Sequence, residues 1–139
     1  MSPFTDQELA YLRGERDDGG PGLTWRRRLA RLATVGPDGM PHVMPVGWSL
    51  DRDATAVEIT GLDLLRSKKF RDVLQTGRAA LVIDDVLPPW RPRGVEIRGR
   101  AEAIPGGSRP RIRIRPVRIV SWGLEEGVDA RTRHARDVA

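Results

Sequence analysis

The stretch RLATVGPDGMPHVMPVGW, Arg31 to Trp48, constrains the fold more than any other part of the chain. Its centre, Gly36–Gly39, has Pro37 where a β-turn fixes its first central φ and Gly39 where φ turns positive. Leu29–Val35 before it has the alternation of a strand, and MPHVMPVGWSLD after it reads as a second strand. Together they predict a β-hairpin. Pro41 and Pro45 carry no amide donor, which assigns part of the second strand to an edge or a bulge. The polar turn DRDAT leads into a third strand, Ala56–Gly61.

The period then changes. Leu64, Leu65, Phe70, Val73 and Leu74 share one face of a short helix, with Asp63 and Ser67 as alternative N-caps and Gly77 as its stop. Arg78–Val86 is a largely apolar strand, read as buried on both faces, and LPPWRPRG is a rigid connection. Val95–Ile104 and RIRIRPVRIVSWG are two more strands. In the latter Ile112, Ile114, Val117, Ile119 and Trp122 point inward and Pro116 marks a bulge. Ahead of the hairpin, residues 1–28 divide into a short helix over FTDQELAYLR and a Gly/Pro/Asp-rich loop expected to be flexible at Gly19–Gly22. Thr5 and Glu8 have the spacing of a capping box. Residues 124–139 read as a frayed polar tail. The result is one mainly β domain over 1–139, with six strands and two short helices. Gly/Pro punctuation between successive antiparallel strands favours a small barrel.

No catalytic set is self-evident. With no cysteine and two distant histidines, His42 and His134, a zinc site has almost no candidate ligands. His42 follows a proline on the edge strand and reads first as a surface or lining residue. The absence of cysteine fits a reducing compartment, and no apolar run has the length of a signal peptide or a membrane span. A cytoplasmic protein is expected. The net charge of +5 favours an anionic partner. Nucleic acid fits poorly, because the seven aromatics do not interleave with the basic residues.

Of the 24 basic residues only Lys68 and Lys69 are lysines, and they stand side by side. An arginine-rich coding bias would leave such a remnant by chance. With Ser67, Arg66 and Arg71 they also surround a helix N-terminus, which suits a phosphate. Composition alone leaves a solvated basic face and a phosphate seat equally open. Arg111, Arg113 and Arg115 alternate onto one strand face, read first as a polar exterior and otherwise as a groove for an acidic ligand. Trp48, Trp90 and Trp122, near strand ends, read first as structural.

RLATVGPDGMPHVMPVGW, EITG, SKKFRDVLQTGRAALVIDD and PRGVEIRGRAE, in that order, resemble the pyridoxamine-phosphate-oxidase-like split β-barrel superfamily. The similarity is greatest to its actinobacterial branch of F420-dependent enzymes. The resemblance implies an FMN-binding-type split barrel. It also implies a homodimer with cofactor clefts between subunits, and hydride transfer to a small organic substrate from coenzyme F420 or, alternatively, FMN. It places Met44, Pro45 and Val46 beside the ring system, largely through backbone, with Thr60 and Gly61 approaching the cofactor. Ser67, Lys68 and Lys69 would grip the phosphate, Arg78 would sit at the family's basic position, and Trp90 and Arg91 would come from the partner. The acidic oligoglutamate tail of F420 suits a basic protein. Asp72 and Gly77 depart from the family's Asn and Pro, and Asp72 sets a carboxylate near the expected phosphate. The Arg16–Arg27 stretch reads as an insertion. A non-catalytic module for flavin, haem or nucleic acid is the other class of function.

Overall fold

In a computed structural model the structure describes residues 1–15, 28–125 and 132–139. The Gly19–Gly22 loop and the rest of the Arg16–Arg27 insertion lie outside them. The elements run α1 (Asp6–Leu12), β1 (Ala30–Val35), β2 (Pro41–Leu50), β3 (Val57–Thr60), a 3₁₀ turn (Leu64–Arg66), α2 (Lys68–Thr76), β4 (Arg78–Leu87), β5 (Arg91–Ile104), β6 (Arg111–Trp122) and β7 (Arg133–Asp137). The strands pair in the order β3-β2-β1-β4-β5-β6-β7, and a further pairing of β3 with β6 closes the first six into an antiparallel barrel. None of the described helices is long and apolar enough to cross a membrane.

The β1–β2 hairpin forms where its turn chemistry places it. The Gly39 amide donates to the Gly36 carbonyl at 3.0 Å, and Gly39 takes φ +79°. In α1 the Glu8 amide donates to Thr5 Oγ1 while Glu8 Oε1 accepts from the Thr5 amide. Ser67, rather than Asp63, caps α2, and Gly77 ends it in the left-handed region. Ala30, Leu32, Leu81, Ile83, Val95, Ile97, Ile112, Ile114 and Ile119 fill the barrel, and Phe70 and Val73 of α2 close onto the same core.

Four expectations need correction. Leu65 and Leu74 do not join the buried face of Leu64, Phe70 and Val73, and both are exposed. β4 is not buried on both faces: Ala79, Leu81 and Ile83 point inward, while Ala80 and Val82 are half-buried on the outside. The bulge at Pro116 is present, and it turns Val117 outward and buries Pro116 instead. The tail is not frayed throughout, because Arg133–Asp137 pairs with β6 as a seventh strand. Arg136 ties it to α1 through two bonds to Glu8 at 2.7 and 2.9 Å and one to the Pro3 carbonyl. Periodicity misses this strand because it joins the sheet from outside and buries no apolar stripe of its own.

Candidate functional site

β3 is short and meets only Gly47–Leu50 of β2, so Pro41–Val46 is paired on one side by β1 and open on the other. Met44 and Pro45 are exposed on this edge, whereas Val46 is buried and faces the core. Thr60 stands opposite Gly47, and Gly61 follows it. A Cβ placed on Gly47 or on Gly61 would meet nothing within 4 Å. The backbone at this corner is therefore open to close approach by a flat ligand. The 3₁₀ turn then delivers the chain to the start of α2.

The lysine pair divides there. Lys68 Nζ lies 2.9 and 3.2 Å from the two carboxylate oxygens of Asp72, one helical turn on. Asp72 is buried, and Thr34 Oγ1 of β1 donates to it at 2.9 Å. Lys68 thus helps dock α2 on the hairpin, and Asp72 is neutralised where it sits. Lys69 is half-buried and makes no ion pair among the described residues. Ser67 Oγ is engaged too, donating to the Leu64 carbonyl at 2.6 Å and accepting from the Phe70 amide at 3.2 Å. The first-turn amides of Lys68 and Lys69 have no intrahelical acceptor. An anion at this helix start would meet those two amides and one free ammonium group. The residues present fit a phosphate, with Lys69 as its cation and Ser67 as the cap that orients the amides.

Burial alone would raise the pKa of Asp72. The hydrogen bonds from Lys68 and Thr34, the Lys68 charge and nearby His42 outweigh it and hold the carboxyl below its ordinary value of 3.8. A depressed folded pKa gives stability that is full above the unfolded value and disappears as pH falls through the folded one. Asp72→Asn keeps the shape and loses the charge. It is expected to cost about 1–2 kcal/mol at pH 7, and the gap to the parent should close as urea melts are carried down towards pH 3. An equal cost at both pH values would show that the carboxylate is not held by charge. A Cβ at Gly36 would lie 2.9 Å from Asp72 Oδ1, so this turn glycine also makes room for the carboxylate.

The other expected residues fall elsewhere. Arg78 begins β4 beyond the C-terminal end of α2, whereas the lysines open that helix, so they lie at opposite ends of about 10 Å of helix. Trp90 and Arg91 lie at the far β4–β5 turn, where Trp90 is 76% exposed. His42 pairs with Thr34 in the hairpin register and buries its Nδ1 without a partner. His134, on β7, lies 3.7 Å from Glu125. Trp48 is buried and donates to the Arg28 carbonyl, and Trp122 carries Arg133 over its ring. Arg111 and Arg113 share Glu58, leaving Arg115 apart from them. No group of three potential metal ligands occurs among the described residues. Thr34 and Gly36 are the partners of α2 that local sequence signals do not reveal. Only the inward parity of Thr34 on its strand pointed there.

Comparison with known proteins agrees with this architecture. The chain is 43% identical over 146 residues to a 5a,11a-dehydrotetracycline/5a,11a-dehydrooxytetracycline reductase of Streptomyces rimosus subsp. rimosus, covering 98% of this chain and 94% of that one. Its fold is similar to the crystal structure of an FAD-binding protein from Mesorhizobium loti (TM-score 0.61, 15% identity, 96% of each chain). It is also similar to an F420 reductase (TM-score 0.51, 21% identity, 66% of this chain and 88% of that one). The sequence pattern of pyridoxamine 5'-phosphate oxidase matches residues 23–136, and the chain belongs to that family.

Proposed function

We propose that this oxidoreductase reduces a carbon–carbon double bond of a polycyclic, dehydrotetracycline-like enone, using coenzyme F420 bound along the β2 edge and the start of α2. The observation that carries the reading is the 43% identity, over almost all of both chains, to a reductase of dehydrotetracyclines. When bound, the reduced deazaflavin supplies the hydride. The protein's own residues then bind, orient and exclude water. Met44 and Pro45, with the open backbone at Gly47 and Gly61, offer a flat platform, and Lys69 with the α2 amides holds the phosphate. The proton that completes the reduction comes from water.

The same reading includes a homodimer. Val43 and Met44 on β2 and Val86 and Trp90 on the β4–β5 hairpin are exposed large apolar side chains. Trp90 and Arg91, remote from α2 in their own chain, would complete the cleft of a second copy.

The test is anaerobic. Purified protein is titrated with F420, FMN and FAD, and reduced F420 carrying deuterium at its hydride position is then supplied with 5a,11a-dehydrotetracycline. F420 binding, with one deuterium recovered in the reduced product, is expected. Tight FMN binding with no F420 binding would replace this cofactor by the flavin. Consumption of F420 without label in the product would remove the substrate.

A further inference from the structure

His42 is the one titratable side chain of β2. Its ring is half-buried, and its Nδ1 is buried with no hydrogen-bond partner. Buried polar atoms are nearly always paired. An orphaned acceptor is tolerated better than an orphaned N–H, so the neutral ring keeps its proton on Nε2. Protonation makes both nitrogens donors, and the buried Nδ1–H must then find an acceptor or bear the cost of an unmet donor.

Acceptors are at hand. Thr34 is directly opposite His42 in the hairpin register, and paired residues hold their Cβ atoms about 5 Å apart. Thr34 Oγ1 spends its hydrogen on Asp72 Oδ2 at 2.9 Å and keeps its lone pairs. Behind it stands the buried Asp72 carboxylate. Desolvation works against its charge, Lys68 and Thr34 support it, and a charged His42 supports it further. A protonated His42 therefore reaches Asp72 directly or through Thr34. The other charged groups on this side of the hairpin are few. α2 brings Lys68 and half-buried Lys69, and the β1–β2 turn brings exposed Asp38, which accepts from the Met40 amide. At this end β1 offers only Thr34, and β3 does not extend this far along β2.

Lys68 holds Asp72 under poor conditions. In an i,i+4 pair the acid is better placed N-terminal to the base, and here the order is reversed. A cation in the first turn also opposes the helix dipole. The Lys68 side chain is 42% exposed, so it can leave Asp72 without unpacking the core. An anion at the helix start changes the balance, because the dipole and amides that disfavour Lys68 there attract the anion.

We propose that His42 is a proton-operated switch of the anion seat at the start of α2: on protonation it takes Asp72 from Lys68, and the freed lysine joins Lys69 on the anion. The proposal rests on the reading of the α2 start as a phosphate seat. The grip then has two cations in mild acid and one above it. The structure holds the second arrangement, with Lys68 on Asp72.

The probe is sulfate, a tetrahedral anion whose charge is constant over the range in which histidines titrate. Its affinity is read from the Lys68 and Lys69 amide signals in nitrogen-15 spectra of the full chain at pH 6 and pH 8, for the parent, His42→Gln and Lys68→Ala. The parent is expected to bind about fivefold tighter at pH 6, the size of one partly exposed ion contact. Neither variant should show the gain. His134 is present in every sample, so a gain that survives His42→Gln belongs to it or to net charge and overturns the switch. A gain lost in His42→Gln and kept in Lys68→Ala would leave His42 acting by its own charge, and the exchange of Asp72 would be wrong. Should Lys68→Ala unfold, the parent decides: protonation of the His42 ring with no change in the Lys68 Nζ signal overturns the exchange. Coenzyme F420, titrated into the same parent at pH 8, separates this from the cofactor reading. F420 binding without a sulfate gain sinks the switch alone, and a sulfate gain without F420 binding sinks the cofactor alone. No sulfate binding at either pH sinks the switch together with the phosphate seat.

Discussion

Lys69→Ala is expected to weaken binding of coenzyme F420 roughly 10- to 100-fold, with no change in the midpoint of urea unfolding. The magnitude is that of one hydrogen bond to a charged group, about 1.5–3 kcal/mol, at 1.4 kcal/mol per tenfold. The neighbouring substitution should behave in the opposite way. Lys68→Ala removes the cation that neutralises buried Asp72, so it should lower stability and leave affinity within a few-fold of the parent. Titration of the ligand and urea melts on the same two samples make the comparison. Two variants that lose affinity equally would show that both lysines reach the phosphate, and the division of the pair would be wrong. A neutral Lys69→Ala would move the phosphate away from α2 altogether.

Arg136→Ala should cost about 3 kcal/mol, a large part of the 5–15 kcal/mol that holds a domain of this size together. Its partner Glu8 is buried, and Arg136 meets both of its carboxylate oxygens. Burial by itself would raise the pKa of Glu8. The bonds from Arg136, the Thr5 amide and Ser121, with the Arg136 charge, overcome it and hold the carboxyl below its ordinary value of 4.5. In the parent, then, the pair contributes fully above that value and its contribution is lost as pH falls through the lowered folded one. Without Arg136 the buried carboxylate has lost its main counter-charge, and its pKa should rise. The variant gains stability as the carboxyl protonates, and the difference in urea midpoint should narrow between pH 7 and pH 4. Glu8→Gln in the Arg136→Ala background should recover part of the loss. A cost below 1 kcal/mol at pH 7 would mean that β7 is held to α1 by something other than this pair.

What could be read from residues alone was local. The GPDG turn, the Thr5–Glu8 box, Gly77 as a helix stop and Pro116 as a bulge each depend on chemistry within a few positions, and each stands where expected. The seventh strand is not legible locally because its anchor, Arg136 to Glu8, spans 128 positions and its residues alternate no apolar face. From residues alone the two lysines cannot be told apart. Their difference is decided by Thr34 and Gly36, more than 30 positions earlier, which create the space that draws Asp72 inward. Asp72, expected to disturb a phosphate, spends its charge on Lys68 instead. Strand register shows the same limit: Arg78, Arg100 and Arg115 become neighbours only through it.

The open edge at Pro41–Val46 also sets the terms on which another molecule can meet the barrel. An unpaired strand border is ordinarily a template on which a foreign chain lays down a further strand, the first step towards fibres. Prolines at both ends of this border withhold the donors that such a strand would need, and only a few residues lie between them. Association here is therefore restricted to contact through side chains and faces. The protein can leave one flank of its sheet uncovered for a ligand without offering neighbouring copies a seam to polymerise along.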